Sequence, residues 1–160
     1  MFQFKIWVDA DSFPSKARQC ILSHAKSRSV PVRFVANHEL KIDAGCDIAE
    51  MVVCSRERGA ADDYICDHVS ANDIVVTRDI PFAARLVEKK ISVLNDRGVV
   101  FTPDSIADRL REREFSLNLA EIGLGGGKEN YYGEKELRKF SSAFERELET
   151  HIMNETYHIK

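Results

Sequence analysis

Apolar residues arrive in this chain in five short runs, each stopped by polar or turn-forming residues. They are Ile6-Trp7-Val8, Val32-Arg33-Phe34-Val35-Ala36, Met51-Val52-Val53, Asp73-Ile74-Val75-Val76-Thr77 and Ile91-Ser92-Val93-Leu94-Asn95. Runs this short, dominated by Val and Ile, read as strands buried on both faces. Most of the segments between them carry helical spacing. Ala17, Cys20, Ile21 and Ala25 mark a helix over residues 14–28, with Pro14 in its first turn and Ser12 or Ser15 available to cap. Ala60 to about Val69 is a second helix, and Ile80-Pro81 opens a third with Ala83, Ala84, Leu86 and Val87 inward. Residues 38–47, polar and holding Gly45, are a loop. Strands and helices in alternation require a parallel sheet covered on both sides. Right-handed crossovers then leave a few doubly wound topologies, among them the order 3-2-1-4-5. The expectation is an α/β fold with a doubly wound, mostly parallel five-stranded sheet.

The last third differs. Thr102-Pro103-Asp104 starts a helix with Ile106, Leu110 and Phe115 as its inner residues, and Gly123 to Gly127 is a flexible break. An amphipathic helix follows over 135–153, using Leu137, Phe140, Phe144 and Leu148. The 160 residues are read as one domain, an α/β core over 1–100 and a helical C-terminal extension over 101–160. A net charge of −3 does not favour nucleic-acid binding by the surface as a whole, although a local basic patch is compatible with it. No apolar stretch reaches membrane-spanning length, and no basic-then-apolar leader opens the chain. Cys20, Cys46, Cys54 and Cys66 form no C-x-x-C pair and no His cluster completes a zinc set. They are expected as reduced, mostly buried thiols of a cytoplasmic protein.

The acids sit where the strands end. Asp9 and Asp11 follow the first strand, Asp79 follows the fourth, and Asp62 and Asp63 open the middle helix. In the order 3-2-1-4-5, strands one and four are neighbours at the switch point, where ligands bind above the carboxyl ends of the strands. Two acids one residue apart on that lip are ionised together at a cost unless a cation lies between them. Carboxylates without His or Cys favour Mg²⁺ or Mn²⁺ over zinc. Asp9, Asp11, Asp62, Asp63 and Asp79 are therefore the candidate ligands, and phosphoryl chemistry is the reaction such a site supports. Ser12, Asn37, Thr77, Arg78, Arg97 and Lys128 are candidates to contact the substrate. The plainer account makes Asp62, Asp63 and Asp104 helix-start dipole partners, Ser12 and Thr77 caps, and Arg78 a solvated cation.

Several stretches together resemble the YaiI/YqxD family. These are Val8-Asp9-Ala10-Asp11 with Pro14, Val35-Ala36-Asn37, Gly59-Ala60-Ala61-Asp62, Val76-Thr77-Arg78-Asp79-Ile80-Pro81-Phe82-Ala83-Ala84, Leu94-Asn95-Asp96-Arg97-Gly98 and Phe101-Thr102-Pro103. The resemblance covers nearly the full chain. It implies kinship with PIN-like and NYN-like nucleases, Mg²⁺- or Mn²⁺-dependent enzymes acting mainly on RNA, with acids above a parallel sheet. By position it implies that Asp9, Asp62 (or Asp63) and Asp79 are the catalytic acids, with Asp11 and Asp96 as further ligands or supporting groups. The chain departs from the family pattern at Phe13-Pro14, where Cys-Pro is common.

Two other readings compete. Asp9-Ala10-Asp11-Ser12 can open a haloacid-dehalogenase phosphatase with Asp9 as nucleophile and Asp11 as acid/base. That scheme needs a later lysine, Lys89 or Lys90, and then a strand ending in paired acids, but strand five ends Asn95-Asp96. The remaining reading is a non-catalytic nucleic-acid- or protein-binding module whose acids hold a structural ion.

Overall fold

The computed structural model describes residues 2–42, 47–124 and 131–158. The apolar runs form β1 (Ile6–Asp9), β2 (Val32–Ala36), β3 (Ala49–Val53), β4 (Ile74–Val76) and β5 (Ser92–Leu94). All neighbouring strands are parallel, in the order β3-β2-β1-β4-β5. β1 is central. Val8 pairs with Phe34 on one side and Val76 on the other, so the carboxyl ends of β1 and β4 emerge level. The strand order reverses at this pair, which makes it the switch point.

The described residues form five helices packed around the sheet: α1 (Ser15–Arg28), α2 (Ala60–His68), α3 (Ile80–Glu88), α4 (Pro103–Glu121) and α5 (Glu134–Tyr157). Alternate residues of β1 face opposite layers, as the period of a strand requires. Ile6 and Val8 join α1 and α5 in one core, with Phe140, Phe144 and Leu148 from α5. Trp7 joins α2, α3 and the first turn of α4 in the other, around Phe82, Leu86 and Ile65. The last helix therefore packs on the sheet layer of its own chain. Burying one phenylalanine such as Phe140 contributes about 1.5–3 kcal/mol.

Several local expectations are corrected. Pro14 is itself the N-cap of α1, and no side chain caps that end. Ala10 to Phe13 instead form a turn closed by the Phe13 N–H on the Ala10 carbonyl, with Ser12 left-handed at φ 64°. On α4 only Ile106 is buried; Leu110 is 36% and Phe115 65% exposed. Phe115 lies nine residues beyond Ile106, which at roughly 100° per residue turns it to the opposite side of the helix. Cys20, Cys54 and Cys66 are free thiols of intermediate burial. Cys46, most of the glycine run and Lys128 lie outside the described residues. Among the described residues no helix is long and apolar enough to cross a membrane.

Candidate functional site

Above the β1/β4 switch point lies a crevice of about 620 Å³, floored by Asp9, Asp11, Asp62 and Asp79. Each acid arrives from a different piece of the fold. Asp9 is the last residue of β1 and is 8% exposed. Its Oδ2 accepts a 2.7 Å hydrogen bond from the Thr77 hydroxyl. That hydroxyl in turn accepts from the Asp79 backbone N–H at 3.0 Å, so Thr77 joins the two acid-bearing strand ends. Thr77 is fully buried behind Asp9 and does not itself line the crevice. Asp79 is the N-cap of α3, its Oδ1 accepting from the Phe82 N–H at 3.0 Å. One carboxylate thus starts a helix and faces the crevice.

Asp11 holds the loop after β2, accepting from the Asn37 N–H with both oxygens at 3.1 and 3.2 Å. Asn37 lines the crevice by that route, while its own Oδ1 lies 2.8 Å from His38 Nδ1. Asp62 enters from the first turn of α2, behind Gly59 at φ 81°. Asp63, the next helical residue, points elsewhere: its side chain is 65% exposed and pairs with Arg85 at 3.1 Å. Of the two neighbouring acids, only Asp62 faces the site.

The electrostatics follow from crowding like charges on a dry floor. Burial pushes the Asp9 carboxyl up to about 7; the Thr77 hydrogen bond opposes this, and Asp62, Asp79 and Asp11 add to the rise. Burial and then Asp79 push Asp62 up to about 6. The donor set is all carboxylate oxygen, the chemistry a hard divalent cation prefers. Among the described residues, no three His, Cys, Asp or Glu side chains are gathered tightly enough to enclose an ion as they stand. Mg²⁺ keeps several of its waters and is commonly held by one or two carboxylates plus phosphate, so an open set of acids remains compatible with it.

The rim carries four arginines, with Glu57 set between two of them. Arg78 donates to the Ser12 carbonyl at 2.8 Å and approaches the buried Asp96 at 3.4 Å, fixing the turn after β1 against the end of β5. Arg56 and Arg58 reach the crevice from the β3–α2 turn and Arg113 from α4. Sequence reasoning missed these three. The pattern Ser55-Arg56-Glu57-Arg58-Gly59, set just before an acid-bearing helix, was the available signal. Arg97 does not reach the crevice. Its guanidinium donates to the Tyr131 carbonyl and lies 3.7 Å from Glu136, because the turn after β5 folds toward α5. Lys89 and Lys90 follow the far end of α3, at the opposite edge of the sheet, and do not line the crevice.

Fold and site together define an all-parallel α/β protein with an acid-floored, arginine-rimmed crevice at its topological switch point. The family model described as "Uncharacterized BCR, YaiI/YqxD family" matches residues 7–150, and the chain belongs to that family. The UPF0178 protein of Treponema denticola is 44% identical over 138 residues, covering 86% of this chain and 87% of that one. The UPF0178 protein of Myxococcus xanthus is 38% identical over 144 residues (90% and 94%), and that of Psychromonas ingrahamii 37% over 144 (90% and 95%). No solved structure matches the chain.

Proposed function

We propose that this protein is a Mg²⁺- or Mn²⁺-dependent nuclease that cleaves single-stranded RNA at the crevice. The observation that carries the reading is the meeting of Asp9, Asp11, Asp62 and Asp79 in one crevice beneath Arg56, Arg58, Arg78 and Arg113. Acids without a cation between them raise one another's pKa, and a hard divalent ion relieves that repulsion. Asp9 and Asp79, joined through Thr77, are the pair that would hold it, with Asp62 completing the set from the side. When bound, the ion supplies the Lewis acidity that makes water a nucleophile near neutral pH and offsets charge at the phosphorus. The arginines bind the neighbouring phosphates, since affinity for a strand comes mainly from such cations. The choice of RNA rests on the resemblance to PIN-like proteins.

The test is cleavage of a labelled single-stranded RNA with Mn²⁺, with Mg²⁺ and with chelator. Cleavage requires the metal, and Asp9→Asn or Asp79→Asn lowers it by at least about 100-fold. Asp63→Asn, which faces Arg85, leaves the rate unchanged. RNA binding without any metal-dependent cleavage would refute the nuclease and leave a binding module. The phosphatase reading is weakened by the position of Lys89 and Lys90 at the far edge.

A further inference from the structure

A second cavity, about 610 Å³, lies on the other side of the sheet, outside the crevice. One wall is a single stripe of α1. Ser15, Arg18, Leu22 and Lys26 recur at helical spacing beside the buried Ala17, Ile21 and Ala25. Phe34 of β2 forms part of the floor, and Leu40, Lys41 and Ile42 close the outer edge. Among the described lining residues three are cations and none is an acid. The Arg18 Nε–H is buried and has no acceptor among the described residues. A buried donor without an acceptor is destabilising, and one belonging to a guanidinium more so. The volume is that of a small-molecule site, within the usual range of roughly 300–1,000 Å³.

We propose that this groove binds a small amphipathic anion, a carboxylate or phosphate head on an apolar body, whose head pairs with the Arg18 guanidinium at the cavity wall. The body lies against Leu22, Phe34 and Ile42, while Lys26 and Lys41 add to the positive field. Arg is suited to that head because its planar fork matches a carboxylate or phosphate. The site is independent of the crevice and does not rest on the nuclease reading.

The experiment is a ¹H–¹⁵N NMR titration of the full chain with octanoate, octyl phosphate, octanol and inorganic phosphate. Octanoate or octyl phosphate shifts the amides of residues 18–26, 34 and 40–42 and saturates, and which of the two binds tighter identifies the head. Octanol and inorganic phosphate bind at least about tenfold more weakly, each lacking one half of the recognition. Arg18→Met weakens the anion by about tenfold or more, the loss of one charge-assisted hydrogen bond. Its unliganded melting temperature does not fall, because the replaced donor had no protein partner. Equal affinity for octanol and octanoate, or an unchanged affinity in Arg18→Met, overturns the proposal. So does tighter occupation of the same amides by single-stranded RNA, which would make the groove a path for nucleic acid. The comparison of octanoate with octanol needs no variant, so a poorly folded Arg18→Met does not remove the test.

Discussion

Asp9→Asn makes the unliganded protein more stable at alkaline pH, although it removes the most buried acid of the crevice. An acid whose folded pKa is raised stabilises the fold fully below its unfolded pKa, near 3.8, and loses that contribution as pH rises through the folded value of about 7. In this window the native state holds more protons than the unfolded chain, so stability falls with rising pH. The full shift corresponds to about 4 kcal/mol, and the part lost between about pH 5.5 and pH 8 is about 2 kcal/mol. For a domain of this size that is a decrease of roughly 4–8 °C in melting temperature. Asp62, less buried, adds a smaller change of the same sign. Asn keeps an acceptor for the Thr77 hydroxyl and carries no charge. Its amide N–H groups need new partners, so the net gain of Asp9→Asn at pH 8 is about 2 kcal/mol rather than the full shift. Calorimetric melting of both proteins across this pH range is the assay, and the difference between their slopes reports Asp9 together with its coupling to Asp62, Asp79 and Asp11. Mn²⁺ at about a hundredfold its Kd raises the wild-type value by about 2.7 kcal/mol and the variant's by much less. A wild-type melting temperature that is flat or rising from pH 5.5 to 8, or a variant with the same slope, would refute the reasoning.

Three further outcomes follow from geometry. Asp79→Ala removes the cap on α3 and lowers stability by about 1 kcal/mol, whereas Asp79→Asn keeps the cap and loses only Mn²⁺ binding, as thermal shift with and without the ion will read. Gly98→Ala places a Cβ 2.5 Å from the Lys139 carbonyl oxygen at a φ of 80°, so it costs about 2 kcal/mol or more in urea unfolding. Asp73→Ala strips acceptors from the Lys5 and Ser70 N–H groups and from Trp7 Nε1 at the opposite edge of the sheet. Its cost is about 3 kcal/mol, seen as a lower urea midpoint with the pH slope of the crevice unchanged.

The sheet was legible because its strands are buried on both faces, and a run such as Ile74-Val75-Val76 has few other places to go. β3 was read short. At the edge of the sheet only alternate residues need be apolar, and Glu50 pairs outward with Arg33 at 3.2 Å. Asp9, Asp11 and Asp79 could be picked out because a carboxylate at the end of an apolar strand has a fixed address once the strand order is known. The sequence could not say that Asp79 is also a cap, or that Asp62 and not Asp63 faces inward, since both depend on where a helix begins to within one residue. Arg56, Arg58 and Arg113 were hidden for a different reason. An arginine on a turn or helix surface has the same local pattern whether it faces solvent or a crevice. Leu110 and Phe115 show the converse, apolar residues given to a core that α4 does not provide along its length.

The Thr77 hydroxyl has one proton to give, and the Asp79 N–H already occupies one of its lone pairs. Its donor direction is therefore committed to Asp9. A change at the start of α3 is passed through that one oxygen to the strand on which Asp9 stands. Anyone transplanting these acids into another parallel sheet would need to move the threonine with them. Two carboxylates grafted without it would arrive as separate charges with nothing to keep them in step.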